Sequence, residues 1–403
     1  MAELLWGQVY YKGIYAGMLR QEPGERCSFT YDPSFLSTSE PAIAWTLPLQ
    51  TQPHVSQQGL HPFFDNLVAE GWLEDAQTRL LGKRQASRFE LLLAFGQDCA
   101  GAVSIQDPSP AALDQSKMDI KDPKQVALLK GRASLSGIQP KYTLVVENGK
   151  FRPARGGETS THIAKFPSLD HKDLVMNEYL TMQAFTALLP DDQVADLKID
   201  TMEGSRDPVL IIKRFDRAPD GTRLHFEEFN QLLGRPSNAK YQGSHKDMAD
   251  FMRATPGCLP VEIYRLYLRI LAGLLLGNTD MHFKNFAMFH TADGLRLTPS
   301  YDQVAAALYD YKTVALAIGG VEDMSWPALK ARSLIRLGEE FGLSPAVMKM
   351  GYEQLAKRKD VMLEVINEDK FGTETMKDDL VNLVKKRWNG TFSLIGQYLS
   401  KKR

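Results

Sequence analysis

The chain has 403 residues, 43% hydrophobic and 24% charged, with a formal net charge of −1. That is the balance of a globular chain of two or three domains, and its near-neutrality excludes a global field drawing it to nucleic acid or anionic membrane. Three widely spaced cysteines, Cys27, Cys99 and Cys258, exclude a disulfide framework and suit a reducing, cytoplasmic setting.

Residues 1–105 read as a small α+β unit. A strand is expected at 8–11, turning at Lys12-Gly13 into a second over 14–19. Phe64, Leu67, Val68, Trp72 and Leu73 recur at helical spacing and predict a helix over 63–81, with another over 88–95. Residues 106–124 carry Pro108, Pro110 and Pro123 without periodicity and read as a linker. A strand-rich region, 125–225, follows. It has a strand at 142–146, a hairpin turn at Asn148-Gly149, a strand at 161–166, a helix over 174–189 and a strand at 208–215. Residues 226–403 turn mainly helical, with helices over 263–276, 326–341, 345–365 and 376–399; Ser344-Pro345 is a good helix start. The most apolar stretch, 270–276, is too short to span a bilayer. No leader is expected, because no basic region followed by an apolar run opens the chain. The expected class is α+β: a bilobal, kinase-like layout with an added N-terminal subdomain, a strand-rich N-lobe and a helical C-lobe.

The strongest chemical signal is Gly277-Asn278-Thr279-Asp280-Met281-His282-Phe283-Lys284-Asn285. Asp280 followed five positions later by Asn285 is the spacing of a kinase catalytic loop. A carboxylate there accepts a hydroxyl proton, and a neutral amide oxygen nearby holds Mg²⁺ without quenching that base. Residues 286–290 and 295–299 read as a hairpin about Thr291-Ala292-Asp293-Gly294, which would bring Asp302 close to Asn285 as a second oxygen ligand. The alternative for Asp302 is the cap of a helix beginning at Gln303. His282 either contacts phosphate or packs.

Upstream, Lys165 in a strand and Glu178 in the following helix match the lysine–carboxylate pair with which kinases hold the α- and β-phosphates. Their ordinary readings are a snorkelling surface lysine and a solvated helix face. Ser134-Leu135-Ser136-Gly137-Ile138-Gln139-Pro140-Lys141 stands where a phosphate loop belongs, although it has a single glycine. Lys213-Arg214-Phe215-Asp216-Arg217 follows a strand, where kinases connect their lobes. The chain has no GxxxxGK[ST], HExxH or GxSxG motif.

These residues resemble the HipA family of toxin serine/threonine kinases over nearly the whole length. The matching stretches are Phe63-Phe64-Asp65-Asn66-Leu67-Val68-Ala69-Glu70-Gly71, Phe95-Gly96-Gln97-Asp98-Cys99-Ala100-Gly101-Ala102, Ser136-Gly137-Ile138-Gln139-Pro140-Lys141, Ile163-Ala164-Lys165, Asn177-Glu178, Arg214-Phe215-Asp216-Arg217, the Thr279–Phe286 loop and Tyr301-Asp302. The resemblance implies that Ser136, Gly137, Ile138, Gln139 and Lys141 belong to the phosphate loop. It implies that Lys165, with Glu178, His282 and Tyr301, serves ATP binding, and that Lys213 and Phe215 flank the adenine. Asp280 becomes the catalytic base, and Asn285 and Asp302 the Mg²⁺ ligands. Ser134 falls at an autophosphorylation site, with Ser136 a second candidate. Phosphate added there would oppose ATP binding by like charge. Pro140 departs from the family pattern, which has a glutamate at that place. The family's partner is a HipB-like helix-turn-helix antitoxin that contacts DNA, so this chain would meet DNA only indirectly, and no membrane. Its substrate would be a translation component such as an aminoacyl-tRNA synthetase. Two other readings stay open: a small-molecule phosphotransferase on a kinase-like fold, and a non-catalytic corepressor module.

Overall fold

The computed structural model describes residues 4–110, 139–155, 157–167, 171, 173–200 and 208–401. Most of the expected 106–124 linker, and all of Ser134, Ser136, Gly137 and Ile138, lie outside these residues. The chain divides into two compact units, Met1–Lys172 with Asp196–Ala239, and Asp173–Ala195 with Lys240–Arg403.

The first unit holds two antiparallel sheets. Strands β1 (Trp6–Tyr11), β2 (Ile14–Gln21), β3 (Cys27–Tyr31), β4 (His54–Ser56) and β5 (Val103–Gln106) form one, in the order β4-β3-β2-β1-β5. Its inner face follows the period of two, with Val9 and Tyr11 on β1 and Cys27, Phe29 and Tyr31 on β3 all buried. The helix Arg88–Phe95 adds Leu91, Leu92 and Phe95 to the same core. It starts on a reciprocal capping box between Ser87 and Glu90, which satisfies two N-terminal donors. The turn at Lys12-Gly13 stands where the sequence puts it.

The helix expected over 63–81 is two helices, Pro62–Asp65 and Trp72–Leu80. Gly71, at φ 58° and ψ −132°, separates them. That conformation is nearly closed to residues with a Cβ, so the apolar spacing runs through a break it does not reveal.

The second sheet runs β7-β6-β8-β10-β9, from β6 (Lys141–Glu147), β7 (Lys150–Pro153), β8 (His162–Lys165), β9 (Leu197–Asp200) and β10 (Val209–Lys213). Asn148, at φ 52°, and Gly149, at φ 76°, make the β6–β7 turn, as its sequence requires. Alternate residues Tyr142 and Leu144, Ala164 and Phe166, and Val209 and Ile211 form its core. A further short strand, β11 (Phe226–Glu228), precedes a helical turn at Phe229–Leu232.

A buried ionic network ties the two halves of this unit. The Arg214 guanidinium donates to both oxygens of Asp216, at 3.0 and 2.8 Å, and to Asp98 at 3.2 Å. Arg217 donates to Asp98 at 2.9 Å and to Asp216 at 2.8 Å. All four side chains are at most 5% exposed. Ser160 and the carbonyls of Cys99 and Gly101 satisfy further arginine donors, as buried charge requires.

The second unit is mainly helical. The helix Leu174–Leu188 packs along Pro345–Glu368, where the Arg358 guanidinium donates to the Ala187 carbonyl at 2.9 Å. The helix Pro260–Leu275 starts with proline in its first turn and is buried almost throughout its C-terminal half. The segment expected as one helix at 326–341 is a 3₁₀ turn, Trp326–Ala328, and then Ala331–Glu340, with Leu329 extended between them. The segment expected at 376–399 is Glu374–Arg387, a wide π-turn Trp388–Phe392, and Ser393–Lys401. The wide turn resets the helical register while keeping Trp388 and Phe392 inside. A hairpin of β12 (Ala287–Thr291) and β13 (Gly294–Leu297) completes this unit's part of the scaffold.

Candidate active site

Four consecutive features of the second unit assemble the site. The helix Pro260–Leu275 ends in a turn, and the loop leaving it presents Asp280. The Asp280 N–H donates to the Asn278 side-chain oxygen at 3.1 Å. The Asp280 carbonyl accepts from the Asn285 side-chain amide at 2.9 Å. Backbone hydrogen bonds on both sides thus fix the aspartate's direction, and the same bond orients Asn285. A 3₁₀ turn, Phe283–Asn285, carries the loop into β12; His282 caps it, its Nδ1 accepting from the Lys284 N–H at 3.2 Å.

The hairpin then returns the chain as its sequence predicts. Thr298 N–H donates to the Ala287 carbonyl, and the Tyr301 hydroxyl donates to the Lys284 carbonyl at 2.8 Å. Asp302 follows directly, with φ 58°. Helix capping is not its role, because no helix begins at Gln303; the next regular element is a 3₁₀ turn at Ala306–Leu308. Ser300, just before, is held between Gln193 and Ala195 by two backbone hydrogen bonds of 2.8 and 2.9 Å. Asp192 beside them is gripped by Arg265 and Arg269.

Asp280 is reachable by solvent yet closely surrounded by protein. Desolvation raises its pKa, a hydrogen bond from Tyr241 opposes the rise, and the nearby charge of Asp302 adds to it, leaving a value of about 6. Asp280 and Asp302 therefore sense one another's charge.

Three polar residues to which the sequence assigns no role hold this arrangement. The Asn177 side chain grips the backbone of Ala305 in both directions. Asn278 donates to Gln303 at 3.0 Å, and Gln303 donates to the Tyr301 carbonyl at 3.3 Å. Asn177 breaks an apolar helical run, Leu174-Val175-Met176, and such an interruption is the signal that could have marked it. Glu178 is fully buried in the same helix.

The first unit holds the remaining candidates. Lys165 ends β8, opposite Lys141 and Leu210, and is 6% exposed, so it is not a snorkelling surface lysine. The Gln139 side-chain amide donates to the Phe166 carbonyl at 2.9 Å. The Pro140 carbonyl accepts from Phe166 N–H, so proline's missing donor leaves that strand pairing intact. Lys213 closes β10 with an exposed side chain, and the Phe215 ring packs on Phe226 at 5.2 Å.

A family model described as the HipA-like C-terminal domain matches residues 133–362, and one described as the HipA N-terminal domain matches residues 7–106. The chain belongs to the HipA family. Relatives of this HipA-family chain include the serine/threonine-protein kinase toxin HipA of Shewanella oneidensis, 30% identical over 329 residues that cover 73% of this chain and 74% of the relative. A putative kinase of Sinorhizobium fredii is 26% identical over 386 residues, 89% of this chain and 86% of its own. Among solved structures, the S. oneidensis MR-1 HipA, HipB and operator DNA complex matches with a TM-score of 0.74 at 24% identity, over 97% of this chain and 99% of that one. The Helicobacter pylori proinflammatory kinase CtkA matches with a TM-score of 0.50 at 13% identity, over 68% and 94%. Both likenesses concern the fold, which is the α+β, kinase-like class expected from the sequence. No helix among the described residues is long and apolar enough to cross a membrane.

Proposed function

We propose that this HipA-family chain is an ATP-dependent serine/threonine protein kinase and the toxin of a toxin–antitoxin pair. The observation that carries the reading is the set of Asp280, Asn285 and Asp302 on one loop and hairpin, with Asp280 in electrostatic reach of Asp302.

The donor set suits Mg²⁺. Asn285 and Asp302 offer hard oxygen ligands, and a cation would relieve the Asp302 repulsion that adds to the desolvation-driven rise of the Asp280 pKa. When bound, Mg²⁺ would neutralise charge on the β- and γ-phosphates. Asp280 would orient the acceptor hydroxyl and take its proton as that oxygen bonds to the γ-phosphorus. The bond from the γ-phosphorus to the β,γ-bridging oxygen breaks, and ADP leaves. Lys165 would hold the α- and β-phosphates, supported by Glu178, with Ser136, Gly137, Ile138, Gln139 and Lys141 forming the phosphate loop. His282 and Tyr301 would shape the phosphate side, and Lys213 and Phe215 would line the adenine. Ser134 and Ser136 are the proposed autophosphorylation sites.

The partner is proposed to be a HipB-like helix-turn-helix antitoxin, through which DNA would be met. The S. oneidensis relative crystallised with HipB and operator DNA supports this reading. The protein substrate would be a translation component, an aminoacyl-tRNA synthetase by resemblance. Calorimetry tests the first step: ATP should bind with Mg²⁺ and lose at least tenfold in affinity in Lys165→Met. Equal binding by both proteins would overturn the assignment of Lys165.

A further inference from the structure

The Asp280 carboxylate has a neighbour that no motif announces. Tyr241 donates its phenol O–H to Asp280 Oδ1 at 3.0 Å. This is the contact an acceptor hydroxyl must make with a catalytic base before giving up its proton. Orientation of Asp280 does not require the phenol, because Asn278 and Asn285 already hold the aspartate from its backbone.

The surroundings of Tyr241 suit a side chain that leaves while its backbone stays. The turn is pinned at one end by the Lys240 carbonyl, which accepts from Phe283 N–H at 3.2 Å. At the other end the Gly243 carbonyl accepts from Ala317 N–H at 2.9 Å. Between these anchors the Tyr241 side chain is 49% exposed. Its ring rests edge-on against His282 at 5.0 Å, with the Lys240 ammonium 5.4 Å from its centroid. A rotation about the Tyr241 side-chain bonds would uncover Oδ1 without moving the loop.

We propose that Tyr241 is an acceptor gate: its phenol occupies the place of the substrate hydroxyl on Asp280 and is displaced by the incoming serine or threonine. This rests on the kinase reading of Asp280. The gate sets a threshold against weak acceptors, water included, because each must replace a hydrogen bond to a charged group.

Steady-state kinetics of Tyr241→Phe and Tyr241→Ala test it, with a degenerate peptide library fixed at a central serine or threonine as acceptor. Acceptor-free ATP hydrolysis and ATP binding are measured in parallel, and thermal unfolding controls for folding. Both variants should lower the acceptor KM about tenfold, the effect of a hydrogen bond to a charged partner. ATP affinity should not change, and ATP hydrolysis in the absence of peptide should rise. A fall in kcat with unchanged acceptor KM would overturn the gate and make Tyr241 a positioning residue for Asp280. Unchanged kinetics would overturn it as well. Failure of the wild-type chain to bind ATP would sink the kinase reading itself, and the gate with it. That outcome is read on the binding arm alone.

Discussion

The Asn177 side-chain oxygen accepts from the Ala305 N–H at 2.8 Å while its amide donates to the Ala305 carbonyl at 3.3 Å. One side chain thereby stands in for a strand partner and ties the helix Leu174–Leu188 to the segment that presents Asp302. Asn177→Ala leaves a buried N–H and C=O without this partner and should destabilise the protein by about 2–3 kcal/mol. Asp302 would lose its fixed position, so phosphotransfer should fall further than stability alone explains. Urea unfolding and kcat measured on the same preparation separate the two effects.

The network of Asp98, Arg214, Asp216 and Arg217 should make the protein acid-sensitive in a defined window. Burial alone would raise the Asp216 pKa, but Arg214 and Arg217 overrule it and hold it at about 2, below the ordinary 3.8. Asp98 is lowered in the same way, against its burial, by Arg214, Arg217 and Arg223. A folded-state pKa below the unfolded one gives stability that is complete above pH about 4 and lost as pH falls through the folded value. The difference in urea midpoint between the wild type and Asp216→Asn should therefore be constant from pH 6 to 5 and shrink steeply below about 4. Asp216→Asn should cost roughly 3–5 kcal/mol at neutral pH, since it breaks a buried pair, and should flatten the acid slope.

Gly71→Ala offers a cleaner backbone test. At φ 58° and ψ −132°, Gly71 separates the helices Pro62–Asp65 and Trp72–Leu80. Alanine there should destabilise by about 1–3 kcal/mol through strain. An unchanged urea midpoint would mean that the break is not enforced by this residue.

The legible part of this protein is the part encoded in short spacings. Asp280 and Asn285 share one loop, and turn residues return the chain to Tyr301 and Asp302, so sequence order alone brings these groups together. The helix Arg88–Phe95 was equally readable, because its capping box is local. What local pattern could not convey is long-range pairing. Asp98 meets Arg214 across 116 positions, and Asn177 meets Ala305 across 128. Tyr241 reaches Asp280 from a turn whose sequence, Lys240-Tyr241-Gln242-Gly243, carries no motif. Helical periodicity also overran its breaks at Gly71, Leu329 and the π-turn Trp388–Phe392, because apolar spacing records burial and not backbone continuity.

Metal dependence distinguishes the two acidic residues. Asp302→Asn should raise the Mg²⁺ concentration for half-maximal phosphotransfer by on the order of tenfold or more, since it removes one ligand charge. Asp280→Asn should leave that requirement nearly unchanged while abolishing turnover. A Mg²⁺ titration of acceptor-free ATP hydrolysis reads the Asp302 effect, and Mg-ATP binding reads it for the inactive Asp280 variant.

The decisive measurement is the intact mass and phosphopeptide map of the purified chain after incubation with Mg-ATP, beside Asp280→Asn. Phosphate at Ser134 or Ser136 in the wild type, absent from the variant, is the expected result and joins kinase chemistry to its base. Equal incorporation in both proteins, or none in a chain shown to start unphosphorylated, would contradict it.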